Sequence, residues 1–151
     1  MKSILFVCLG NICRSPIAEG IAKKLIKERG HAITVDSAGT GNWHVGEAPC
    51  GNSITVARNN GIDISTLRAR QVTQNDFKIF DLIVALDQSN YNDLKAMGAV
   101  NLVKLGAYGF EGADVPDPYF FKGFEGFEHV YKMIESSIHT LILSSGSMSE
   151  V

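Results

Sequence analysis

Residues 4–16 read Ile4-Leu5-Phe6-Val7-Cys8-Leu9-Gly10-Asn11-Ile12-Cys13-Arg14-Ser15-Pro16. The apolar run Ile4 to Val7 has the character of a buried strand, which we place at residues 3–8. Ser15-Pro16 then reads as the N-cap and first helical residue of the next element. A cysteine and an arginine, with five residues between them in the loop, therefore lie between a strand end and a helix start. Loop amides and the positive end of a helix dipole attract a dianionic phosphate at such a place. The same field favours thiolate over thiol at Cys8. Arg14 adds a planar fork that can bind two phosphate oxygens at once. The stretch predicts a nucleophile facing an anion cradle.

The rest of the chain supplies the frame. In residues 16–29, Ile17, Ile21 and Leu25 recur at helical spacing with Ala18 and Ala22, and Gly30 ends that helix. Ile33-Thr34-Val35 reads as a second strand, and residues 37–51, rich in glycine and small side chains, as a loop over the strand ends. Residues 52–60 fit a helix, and Thr73 to Phe80 a short one capped at Thr73. Leu82 to Leu86 is apolar on both faces, as a central parallel strand should be. Residues 89–97 read as helix, 100–103 as an edge strand and 104–123 as a long loop. Phe127, Val130, Tyr131, Ile134, Ile138 and Leu141 trace one face of a last helix, from Gly126 to Leu143. This alternation predicts an α/β fold of three layers, a four-stranded parallel sheet with helices on both faces, doubly wound. Residues 1–143 form one catalytic domain in this reading, and 144–151 a mobile tail. Ligands of such sheets bind beyond the carboxyl ends of the strands, where the Cys8 loop, residues 37–51, Asp87 and Asp117 are expected to converge.

The 151 residues suit one domain with a real core, and the net charge of −2 argues against a nucleic-acid or anionic-membrane surface. Lys23, Lys24, Lys27 and Arg29 read as the solvated face of one helix. The N-terminal apolar run is too short for a signal peptide or a membrane span. Three cysteines, an odd number, do not suggest a secreted disulfide scaffold, so a cytoplasmic location is expected. Cys8, Cys13, Cys50 and the four histidines have no zinc-like spacing, so neither a metal nor another cofactor is expected.

Cys-x5-Arg-Ser is the phosphate-loop pattern of cysteine-dependent phosphatases. The wording Val7-Cys8-Leu9-Gly10-Asn11-Ile12-Cys13-Arg14-Ser15-Pro16 so near the N-terminus resembles, more narrowly, the low-molecular-weight protein tyrosine phosphatases. The resemblance extends in the family's order to Ser37-Ala38-Gly39-Thr40, Arg68-Ala69-Arg70-Gln71, Leu86-Asp87 and Val115-Pro116-Asp117-Pro118-Tyr119. It implies the phosphotyrosine phosphatase I-like fold. It also implies hydrolysis of phosphotyrosine, on a protein or as a small aryl phosphate, through a phosphocysteine on Cys8, with inorganic phosphate as product and a monomer or weak dimer as the working unit. Two positions depart from it. Leu67 stands where many members carry a histidine, and Phe120 where many carry a second tyrosine, which rules out phosphorylation at that position.

Each residue type fits its expected task. A cysteine nucleophile splits one hard displacement into two easier ones. Arg14 stabilises the equatorial oxygens of the transferring group. Asp117, stiffened by Pro116 and Pro118, suits a general acid that protonates the leaving phenolate and then activates water, with Asp114 the weaker candidate. Leu9, Gly10, Asn11, Ile12, Cys13 and Ser15 belong to the phosphate loop. Ser15 suits a helix cap and a donor to the Cys8 sulfur, two compatible roles of which capping is the simpler. Trp43, His44, Tyr119 and Phe120 can wall a cleft deep enough to exclude phosphoserine. Asn11 suits a left-handed turn, and Ser37 and Asp87 stand behind the loop. In the family, the neighbour at Cys13 can form a reversible disulfide with the nucleophile. Rival readings are a phosphoarginine phosphatase, which tends to have threonine where Ile12 stands, and an arsenate reductase, which needs a cysteine pair later than Cys50. A third is a non-catalytic phosphate-binding module.

Overall fold

The structure, a computed structural model, describes residues 1–121 and 123–149, without the side chains of Phe120 and of residues 145–149. Its elements are β1 (Ser3–Cys8), α1 (Arg14–Arg29), β2 (Thr34–Gly39), α2 (Gly51–Asn59), α3 (Asp76–Ile79), β3 (Leu82–Ala85), α4 (Gln88–Ala96), β4 (Leu102–Lys104) and α5 (Glu125–Ser149). Short 3-10 turns cover Leu105–Ala107 and Pro118–Phe120. The four strands form one parallel sheet in the order β2-β1-β3-β4, as the alternation of elements predicts.

Side chains alternate across a strand, so β1 feeds two cores. Ile4, Phe6 and Cys8 face the layer built by α1, α2 and α5, where Ile17, Ile21, Phe127, Tyr131 and Ile134 are buried. Leu5 and Val7 face the other layer with Ile83, Phe80 and Leu94. The nucleophile candidate thus ends the central strand on its more deeply covered side. Lys23, Lys24, Lys27 and Arg29 are exposed, as a solvated face requires.

Several boundaries differ from expectation, each for a physical reason. β2 continues through Ser37-Ala38-Gly39, which the sequence assigned to a loop. Pairing with β1, in register Ser37↔Phe6, Ala38↔Val7 and Gly39↔Cys8, overrides the weak strand propensity of these small residues. A Cβ on Gly39 would lie 2.7 Å from the Leu9 carbonyl oxygen and 3.0 Å from the Gly10 carbonyl carbon, so only glycine lets β2 lie this close beneath the loop. α1 begins at Arg14 with Cys13 at the cap position. Ser15 is therefore not the N-cap; its hydroxyl is drawn into tertiary hydrogen bonds. β4 starts at Leu102 rather than Val100, which is exposed. α5 is helical to Ser149, past the end of its apolar stripe at Leu143, with no proline in the stretch to stop it; Glu150 and Val151 lie outside the described residues.

Candidate active site

The loop from Cys8 to Ser15 is held from behind. Asn11 sits at φ 57°, a left-handed position that asparagine tolerates. Its side-chain amide donates to Ser15 Oγ at 2.8 Å and Ser37 Oγ at 2.9 Å, and its Oδ1 accepts from the Arg70 backbone N–H at 3.0 Å. Ser37 in turn donates to Glu19 Oε1 at 2.6 Å. Glu19 is only 3% exposed and also pairs with Lys23. Ser15 Oγ accepts from Asn11 and lies 3.0 Å from Cys8 Sγ and 3.5 Å from the Ala38 carbonyl; toward a sulfur anion, which can only accept, it is the donor. The Asn11 backbone N–H donates to the same sulfur at 3.3 Å. Two donors therefore converge on Cys8 Sγ, an arrangement that stabilises a sulfur anion.

Arg14 is buried at the first position of α1. Its Nη1 donates to Asp87 Oδ2 at 2.7 Å and to the Val115 carbonyl at 3.0 Å. Both bonds leave from Nη1, so the Nε–Nη2 edge remains suited to two oxygens of a phosphate. Burial works against the guanidinium charge, but the charge of Cys8, the Asp87 hydrogen bond and the charges of Asp87 and Asp117 outweigh it and raise its pKa. Asp87 itself caps α4 by accepting from Asn90 N–H at 2.8 Å.

A cleft of about 160 Å³ opens over this loop. Cys8, Leu9, Gly10, Ile12, Cys13 and Arg14 form its floor and Trp43, His44, Asp117 and Tyr119 its walls. Trp43 and Tyr119 are 69% and 64% exposed, so the upper walls are apolar surfaces open to an incoming ring. Tyr119 is braced edge-on by Phe127, with ring centroids 5.3 Å apart. His44 pairs with Glu47 at 3.0 Å. Asp117 Oδ1 accepts from the Tyr119 N–H at 2.9 Å, which orients the carboxyl beside the cleft. Asp114 is engaged elsewhere. Lys104 hydrogen-bonds it at 2.6 Å and the Gln88 N–H caps it at 2.9 Å, and this lowers its pKa against a small desolvation cost. Asn11, Ser15, Ser37 and Asp87 stand behind the cleft. Phe120's side chain lies outside the described residues. Among the described residues no group of His, Cys, Asp or Glu is arranged to hold a metal ion, and no helix is long and apolar enough to cross a membrane.

Two participants escaped the sequence reading. Glu19 carries the one signal available, a carboxylate among the apolar positions of α1. Cys50 gives none, because its contact with Cys13 Sγ at 2.8 Å spans 37 positions.

The chain matches the family model described as low molecular weight phosphotyrosine protein phosphatase over residues 3–149. It is 40% identical to the low molecular weight protein-tyrosine-phosphatase YfkJ of Bacillus subtilis, over 95% of this chain and 96% of the relative. It is 41% identical to the low molecular weight protein-tyrosine-phosphatase PtpA of Staphylococcus aureus, over 94% and 92%. The crystal structure of YfkJ superposes with a TM-score of 0.89 at 38% identity, covering 98% of this chain and 96% of that one. A protein tyrosine phosphatase from Entamoeba histolytica, crystallised with Hepes in the active site, superposes at 0.91 with 33% identity over 99% of both chains.

Proposed function

The chain belongs to the low molecular weight phosphotyrosine protein phosphatase family, and from that membership we propose a residue-by-residue reaction for it as a metal-independent protein-tyrosine-phosphatase. The phosphate of a phosphotyrosine, on a protein or as a small aryl ester, enters the cleft with its ring between Trp43 and Tyr119. Phosphate oxygens lie on the loop amides and on the Nε–Nη2 edge of Arg14. Cys8 Sγ attacks phosphorus, the P–O bond to the ring breaks, and Asp117 gives its proton to the departing phenolate oxygen. In the second step a water loses its proton to Asp117 and attacks phosphorus. The P–S bond breaks, and the electron pair returns to Cys8, where the Ser15 hydroxyl and the Asn11 N–H receive it. Inorganic phosphate leaves. Cleft depth sets the selectivity, since a phosphoserine is too short to bring phosphorus to the sulfur.

The observation that carries this reading is the pair of donors converging on Cys8 Sγ in the same cleft that Arg14 and Asp117 line. The enzyme is expected to work in the cytoplasm as a monomer or weak dimer. Turnover of p-nitrophenyl phosphate tests the chemistry. Cys8→Ser is expected to lower kcat by about 10⁴-fold or more, and unchanged turnover in that variant would remove the reading. A panel of phosphopeptides then separates tyrosine from arginine substrates: the reading requires hydrolysis of phosphotyrosine and little of phosphoarginine.

A further inference from the structure

Cys13 and Cys50 come from different loops yet place their sulfurs 2.8 Å apart. The backbone between them is already joined. The Cys50 N–H donates to the Ile12 carbonyl at 2.9 Å, and Ser53 Oγ bonds the Cys13 carbonyl at 3.0 Å. Each cysteine occupies the position ahead of a helix, Cys13 before α1 and Cys50 before α2, where the dipole favours negative charge on sulfur. Both are partly exposed, whereas Cys8 is buried and engaged by Asn11 and Ser15. The pair shares a proton unequally. The Cys13 thiol donates to Cys50, which lowers Cys50 to about 6 against the opposing effect of burial, with Ser53 and the Tyr119 hydroxyl adding further hydrogen bonds. Donation to Cys50, then burial, raises Cys13. The contact lets one thiol hydrogen-bond its neighbour's thiolate, so a single proton lost from the pair leaves an anion already touching a thiol.

We propose that Cys13 and Cys50 are a second reactive site, a dithiol that a peroxide converts to a disulfide without help from the nucleophile. The Cys50 thiolate attacks one peroxide oxygen; the O–O bond breaks, hydroxide leaves and takes up a proton, and Cys50 becomes a sulfenic acid. Cys13 sulfur then attacks Cys50 sulfur, the S–O bond breaks, and the Cys13 proton leaves with the hydroxyl as water. Two thiols lose two electrons and two protons in total, and one hydrogen peroxide becomes two waters. A dithiol reductant reverses the bond. The cross-link ties the phosphate loop to the start of α2 and withdraws Cys13 from Cys8, the pairing that family resemblance implies. Cys8 takes no part in the step, so this inference and the phosphatase reading fail separately.

The test is a time course of the full chain with hydrogen peroxide, alkylation of remaining thiols, digestion and mass spectrometry. The first disulfide expected is Cys13–Cys50, with a loss of about 2 Da per chain and with Cys8 recovered as its alkylated thiol. The same link is expected in Cys8→Ser. In Cys50→Ser it is lost, and Cys13 is expected to link to Cys8 instead. A first link between Cys8 and Cys13 in the unsubstituted chain overturns the proposal. So does recovery of Cys50 alkylated after Cys8 has oxidised, or a Cys8→Ser chain that forms no link.

Discussion

The phosphate loop and the acid loop meet at one cleft but are held in opposite ways. Between Cys8 and Ser15, the side chains of Asn11, Arg14 and Ser15 are buried, and each makes at least two hydrogen bonds. Between Asp114 and Phe121, Tyr119 stands in solvent, and Asp117 is oriented by one backbone N–H and two flanking prolines. The first arrangement suits electrostatic stabilisation, which works best when donors need not reorganise as charge develops. The second suits a wall that meets substrates of different shape. In the proposed reaction, rigidity is placed where phosphorus reacts, and exposure where the ring and its neighbours vary.

This contrast predicts different kinds of damage. The largest effect is expected from Asp117→Asn. It removes the proposed proton donor, so kcat should fall by about 10²–10⁴-fold while the melting temperature stays unchanged. The loss should be smaller on p-nitrophenyl phosphate than on phenyl phosphate, because p-nitrophenolate departs without a proton. Equal losses on the two substrates would deny Asp117 the acid role. Next is Gly39→Ala. Its methyl would lie 2.7 Å from the Leu9 carbonyl oxygen, so the loop must shift. A displaced loop should cost roughly 10²-fold in kcat/KM and, unlike Asp117→Asn, should also lower the melting temperature. Kinetics and calorimetry on the same sample decide it.

Glu19→Ala should be milder in catalysis and clearer in stability. It leaves the buried Ser37 hydroxyl without its acceptor, and urea unfolding should show a loss of about 1–3 kcal/mol. No measurable loss would mean that the hydrogen-bond chain behind the loop contributes nothing. The smallest effect is a titration. Cys50 has its pKa lowered to about 6 by the Cys13 thiol, so its thiolate persists from alkaline pH down to that value. Alkylation of Cys50 should be level above pH 7 and slow by about tenfold per unit well below 6. Cys13→Ala removes the donor and should move the midpoint upward. Peptide-resolved labelling across pH reads both.

How far the molecule is legible in its sequence follows the same division. The loop geometry is local, so Cys8 at a strand end, Arg14 at a helix start and a left-handed Asn11 can be read from consecutive residues. The sheet is legible because Leu82 to Leu86 and Ile4 to Val7 are apolar on both faces, which suits central strands. What sequence hides is long-range partnership. Ser37-Ala38-Gly39 has no strand propensity until β1 pairs with it. Ser15 has the composition and position of a cap, yet Cys8 and Asn11 of its own loop claim its hydroxyl once β2 holds that loop in place. Cys13 and Cys50 share no spacing rule, and only the fold brings them together.

Asp87 carries a consequence for anyone wishing to alter this catalyst. One oxygen of its carboxylate starts α4 through Asn90, and the other steers the Arg14 guanidinium. A replacement without a cap acceptor, chosen to retune anion affinity, would therefore also strip the helix of its cap, at a cost of about 1 kcal/mol. Engineering of substrate range is better directed at Trp43, whose side chain is largely exposed.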